Sequence, residues 1–194
     1  MGLWDQNQYI IKQKVLTLGR KYFIYDSYNR LIGYCKQKLF KLKEDIRIYT
    51  DDSMTHELLS IRQENILDFT GTFAVMDSYH NNALVGYVGR KAWKSLFRDT
   101  WKIFDHTKRE IATIQERGGT LAVFRRFVSF LRWIPKKYDF FSPGAPGPFA
   151  EAIQRFQIIG DTWTLNVHPG SNVDIRLIVA AALMMDIIEQ AQGD

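Results

Sequence analysis

In the first 105 residues apolar and polar side chains alternate along short runs, and one such pattern occurs twice. Ile24-Tyr25-Asp26-Ser27-Tyr28 returns 51 positions later as Val75-Met76-Asp77-Ser78-Tyr79. After a two-residue insertion, Leu31-Ile32-Gly33-Tyr34 returns as Leu84-Val85-Gly86-Tyr87, with Lys38 and Lys41 falling on Lys91 and Lys94. Ile46-Arg47-Ile48-Tyr49 likewise resembles Trp101-Lys102-Ile103-Phe104. Each copy is a β-branched or aromatic run, a turn of Asp, Ser and Asn, and a second such run, which predicts a hairpin. A weaker third copy runs from Trp101 to Asp105, turns through His106-Thr107-Lys108-Arg109 and returns along Ile111 to Ile114. Apolar residues at every second position put one face inward. Descent from one unit and convergence on common turn chemistry both account for the likeness, and the hairpins stand under either.

Further strands are predicted over Tyr9–Leu18, Glu57–Glu64, Glu151–Phe156 and Thr162–Val167, for about a dozen short antiparallel strands in all, the signature of a sandwich or barrel. Two helices interrupt them. Over Thr120–Ile134 Leu121, Phe124, Phe127, Val128 and Leu131 recur at helical spacing, opposite Arg125, Arg126, Ser129 and Arg132. Pro135 ends this amphipathic helix, and Lys136-Lys137 with the run Ser142–Pro148 reads as a loop. The second helix runs from about Asp174 to Gln190 and is apolar on every side from Leu177 to Met185, so it must be buried on every side. In a β-rich chain the economical solution is a closed sheet around it. The expectation is therefore one domain over residues 1–194: a mainly β, closed antiparallel barrel of about twelve strands around a hydrophobic C-terminal helix, plus one amphipathic helix.

Composition fits one core. The chain has 194 residues, 46% of them hydrophobic and 14% aromatic, enough apolar surface to offset the entropy of ordering a backbone of this size. Its single cysteine, Cys35, cannot form an internal disulfide, which suits a reducing, cytoplasmic setting. The N-terminal residues show no basic stretch followed by an apolar run. The Leu177–Met185 stretch is about half of the roughly 20 residues that span hydrocarbon, so no transmembrane span is expected. A net charge of +5 favours polyanionic partners.

The early Gln13-Lys14 strand, the repeated Asp-Ser-Tyr hairpins, Gly89-Arg90-Lys91 before Trp93, and the terminal Asp174-Ile175-Arg176-Leu177 to Asp186 together resemble the phospholipid scramblase and LURP-one-related proteins. These families belong with the tubby C-terminal domain in one superfamily. The resemblance covers nearly the whole chain and implies a twelve-stranded barrel threaded by a hydrophobic helix. It also implies phosphoinositide binding through basic residues, as in tubby-like domains, and an association with calcium-dependent lipid movement, as in scramblases. This chain departs from the scramblase pattern in starting almost at the first strand, in having one cysteine, and in offering only Asp174 just before the last helix. One local carboxylate is a poor start for calcium, which takes 6 to 8 oxygen ligands.

The sequence offers no catalytic constellation. His56, His80, His106 and His168 are scattered without metal-ligand spacing, and GxSxG, Walker and GxGxxG signatures are absent, so neither cofactor nor metal is expected. Asp26, Asp77 and Asp105 occupy equivalent turns and are assigned to turn geometry rather than acid–base work. Cys35 is read as a buried or strand-surface thiol. What remains is positive charge among aromatics: Arg90, Lys91, Lys94 and Arg98 around Trp93 and Phe97, then Arg125, Arg126 and Arg132 on the helix with Lys136 and Lys137 beyond. These nine form the candidate head-group site. The reading that follows is a non-enzymatic module for anionic phospholipid at a cytoplasmic membrane surface. A protein-interaction module with an incidental basic patch is the rival, and nucleic-acid binding a third.

Overall fold

The computed structural model describes residues 2–16, 19–38, 46–66, 69–91, 100–117, 135–157 and 160–193. Twelve strands follow in order: β1 (Gln8–Leu16), β2 (Gly19–Asp26), β3 (Leu31–Lys38), β4 (Ile46–Tyr49), β5 (Glu57–Ile66), β6 (Phe69–Asp77), β7 (Ala83–Lys91), β8 (Thr100–Asp105), β9 (Glu110–Glu116), β10 (Lys136–Phe141), β11 (Ala150–Arg155) and β12 (Thr162–Val167). Each pairs antiparallel with its neighbours in sequence, and β1 pairs with β12 through Gln8↔Asn166 to Lys12↔Thr162, closing the barrel. Closure leaves no free sheet edge. The helix α1 (Ile175–Gly193) follows.

The hairpin repeat is real geometry. In β2–β3 and β6–β7 the register slips by one residue at the matched places, after Ile24 and after Val75, so that Ile32 and Val85 are the bulged residues. The weaker copy, β8–β9, slips in the same way after Ile103, and so does a hairpin the sequence reading did not single out, β4–β5 after Ile48. A bulge bends the strand and increases its twist, as a small closed barrel requires. Beyond each bulge an aspartate organises the turn. Asp26 Oδ1 accepts the backbone N–H of Tyr28 and Arg30 (both 2.9 Å), and Asp105 Oδ1 accepts those of Thr107 and Arg109 (2.8 and 3.0 Å). Asp77 accepts those of Tyr79 and His80 (both 3.0 Å), and Asp51 that of Ser53 (2.9 Å).

One strand corrects the sequence reading. Lys136-Lys137 do not form a loop: Lys136–Phe141 is β10, paired with both β9 and β11. Its inward positions are Tyr138 and Phe140, both buried, and between them Asp139 is covered by the Arg117 guanidinium, whose Nε donates at 2.8 Å. On β11 the inward residues include Ala150 and Ala152, and over this low ground the Tyr138 ring stacks on Trp163 of β12 at 5.6 Å.

The barrel lumen holds α1. From Leu177 to Ile187 every residue of the helix is buried, and the inward faces of the strands supply Ile11, Ile24, Ile61, Val88 and Leu165 against it. Each such side chain contributes about 1.5–3 kcal/mol relative to exposure. Asp174 caps the helix, accepting the Arg176 N–H at 2.9 Å. The Arg176 guanidinium also reaches Asp77 at the β6–β7 turn, fixing the start of the helix to the barrel wall. Among the described residues no helix is long and apolar enough to cross a membrane. The predicted amphipathic helix over 120–134 lies outside the described residues.

Candidate functional site

Alternating strand direction gives the barrel two chemically different ends. The aspartate turns and the start of α1 share one. At the other, β1, β3, β5, β7, β9 and β11 finish, the remaining strands begin, and α1 runs to its C-terminus. Of the predicted site residues, Arg90, Lys91, Lys136 and Lys137 are on strands at this second end, with β7 and β10 three strands apart around the wall. Arg90 is two positions beyond the fully buried Val88 and shares its inward face, half-buried at the mouth; Lys136 likewise shares the inward face of Tyr138. Lys137 faces out and is exposed. Lys91 closes β7, opposite Thr100. Lys94, Arg98, Arg125, Arg126 and Arg132 lie outside the described residues.

A second basic group at the same end was not singled out from the sequence. The register places Lys14 of β1 opposite Lys21 of β2, and Lys21 opposite Lys36 of β3, so three lysines form one rung across three strands. Lys14 and Lys36 are exposed and Lys21 is half-buried. Lys12, two residues up β1, sits with its Nζ 4.6 Å from the centre of the Tyr25 ring, and Lys14 Nζ is 5.1 Å from that of Phe23. Around this rung the other outward positions read Thr162, Thr164 and Asn166 on β12, Gln8 and Ile10 on β1, Phe23 and Tyr25 on β2, and Tyr34 on β3. None is acidic. Among the described residues no hydrogen bond or ion pair joins Lys12, Lys14, Lys21 or Lys36 to a carboxylate.

Inside the barrel at this end lies a buried polar hub. Asp186 of α1 is fully buried; its Oδ2 accepts from Gln13 Nε2 (3.0 Å) and from the Tyr22 hydroxyl (2.9 Å), and its Oδ1 from Trp163 Nε1 (2.9 Å) and Gln154 Nε2 (3.3 Å). Gln154 also donates to Asp161, whose backbone N–H donates to Gln13 Oε1 at 3.2 Å. Burial, reinforced by the Asp186 charge, pushes the Tyr22 phenol far above the ordinary tyrosine range. Cys35, paired with Tyr22 across the sheet, is wholly buried, and burial pushes its thiol up to about 12, so it is not an activated nucleophile at neutral pH.

The sequence model of the LURP-one-related family matches residues 31–186. The chain belongs to the LURP-one-related family. Its closed twelve-stranded barrel around a C-terminal helix is the tubby-like fold of that family. No individually curated protein matches the chain. The family span of this LURP-one-related protein takes in Lys36, the third member of the lysine rung, and Asp186 with its donors Gln154 and Trp163, but begins after Lys14, Lys21 and the donors Gln13 and Tyr22. Among its described residues no three His, Cys, Asp or Glu side chains converge as a metal site would need.

Proposed function

We propose that this LURP-one-related protein is a non-enzymatic module that binds anionic phospholipid head groups of the phosphoinositide type, reversibly, at a cytoplasmic membrane surface. The observation that carries the reading is the gathering of positive charge at one end of the barrel: an outer strand face that bears Lys12, Lys14, Lys21 and Lys36 with no carboxylate partner among the described residues, and Lys137 on the same rim. Basic side chains near an anionic surface contribute about 1 kcal/mol each, enough together for reversible attachment without a lipid anchor. The tubby-like fold and the scramblase-like sequence features support the same reading. It does not require the helix to leave the barrel.

Co-sedimentation with neutral and with phosphoinositide-containing vesicles, at low and at physiological salt, tests it. Selective binding that persists at physiological salt is the expected result. No binding under either condition sinks the lipid reading and moves the function to a protein-interaction module. A specific observation favours that second reading: Tyr28 and Tyr79, at matched positions of two repeat turns, are 67% and 72% exposed at the end of the barrel opposite the lysines.

A further inference from the structure

We propose that Lys14, Lys21 and Lys36 form one site for a compact polyphosphate, the head group of a multiply phosphorylated inositol lipid, offered by a membrane against the outer face of β1–β3. The proposal rests on the lipid-binding reading above and gives it an address that includes none of the nine residues picked out from the sequence.

The cross-strand register is the first ground. Like charges directly opposite one another in a sheet are destabilising, and here two such pairs share Lys21. Neighbouring strands are about 4.8 Å apart, so the three lysines span roughly 10 Å between their outer Cα atoms. Lysine side chains are long enough to reach one small anion from all three positions on that base. A head group with a single charge leaves most of the rung unneutralised, whereas one with two or more phosphates meets all three ammonium groups.

The surroundings select among polyanions. No outward carboxylate on β12, β1, β2 or β3 competes for the lysines. Phe23 and Tyr25, the aromatic rings beside the rung, have Lys14 and Lys12 ammonium groups over their faces, which leaves those faces closed to the base stacking that single-stranded nucleic acid uses. Val15, next to Lys14 on the rim, is an exposed apolar side chain suited to the edge of a bilayer.

The test is vesicle co-sedimentation at physiological salt. Three compositions are used: phosphatidylcholine alone, with phosphatidylinositol bisphosphate, and with phosphatidylserine at matched total charge. The wild-type chain should favour the bisphosphate vesicles over the matched phosphatidylserine vesicles by at least about 10-fold. Lys14→Gln and Lys36→Gln should each weaken that binding about 5-fold, and the triple variant with Lys21→Gln on the order of 100-fold. The triple variant should melt no lower than wild type, because the repulsion along the rung is gone; if it fails to fold, the two exposed single substitutions carry the test. Equal binding to both anionic vesicles would overturn the compact site. So would wild-type binding by the triple variant when Lys136→Gln with Lys137→Gln loses it, an outcome that leaves the lipid reading standing. If no vesicle binds but soluble inositol trisphosphate raises the melting temperature of wild type and not of the triple variant, the lipid reading falls and the lysine site remains as one for a free inositol phosphate. If neither vesicles nor the soluble phosphate bind, or if a single-stranded oligonucleotide binds more tightly than the bisphosphate vesicles, the proposal is wrong.

Discussion

Asp186 shows what one residue does in this molecule and how much of it the sequence could disclose. A carboxylate near the end of an apolar helix reads, in sequence, as the flank of a hydrophobic stretch. In the barrel it is the acceptor for donors from β1, β2, β11 and β12, held by residues as far apart as Gln13 and Trp163. The position was visible; the partners were not, because only barrel closure brings them together. Asp186→Ala leaves those donors buried without their acceptor and should cost roughly 3–5 kcal/mol, read as a fall in the urea midpoint with little change in slope. Buried thiol and phenol groups set the alkaline limit. Burial raises the Cys35 thiol from 9.0 to about 12 and the Tyr9 phenol from 10.0 to about 12, and raises Tyr22 further. The folded chain therefore keeps protons that the unfolded chain releases above pH 9, so this stability is complete below pH 9 and is lost as pH rises toward 12. Cys35→Ala should flatten the decline between pH 9 and 12, measured as unfolding midpoints at a series of pH values; an unchanged slope would show that the thiol does not contribute.

At the scale of elements, the hairpin is the unit. Its turn chemistry was legible because aspartate side chains hydrogen-bond locally, within four residues, and local interactions leave local sequence signatures. Its bulges were not legible, because a register slip is a property of two strands. Gly86 and Gly33 hold matched places opposite Val75 and Ile24, yet their surroundings differ. A Cβ on Gly86 would stand 2.4 Å from the Phe104 carbonyl oxygen and 3.0 Å from Leu177 of the central helix. One on Gly33 would meet only side-chain atoms, Ile24 Cδ1 at 3.1 Å and Ile48 Cγ2 at 3.2 Å. Gly86→Ala should therefore destabilise by about 3 kcal/mol or prevent folding, and Gly33→Ala by only about 1 kcal/mol, a contrast readable by thermal melts of the two variants. β10 escaped the sequence reading for a related reason. Lys136, Lys137 and Asp139 look like solvated loop until Arg117, at the end of β9, is known to cover Asp139, after which the alternation of Tyr138 and Phe140 stands out as a strand with one buried face.

For the whole molecule, closure is the decisive property, and it reaches beyond the span by which the family is recognised. That span, residues 31–186, holds β3 to β12 and the helix as far as Asp186, but β1 and β2 precede it. Without them β3 and β12 become open edges, Asp186 loses the donors Gln13 and Tyr22, and the lumen around α1 opens on the side where Ile11 and Ile24 sealed it. Open edges pair with other chains, and an apolar helix exposed along one flank associates. The lysine rung has the same origin: Lys14, Lys21 and Lys36 are unremarkable in sequence and become neighbours only because β1 and β2 complete the wall. A fragment of residues 31–186 should therefore lack the cooperative unfolding transition of the full chain, bind a hydrophobic dye, and sediment as aggregates, while also failing to bind phosphoinositide vesicles. Circular dichroism melts and analytical sedimentation of the two chains side by side decide the matter. A monomeric fragment that unfolds cooperatively would mean that β3 and β12 can close on each other, and that the first two strands serve the outer lysine face rather than the stability of the barrel.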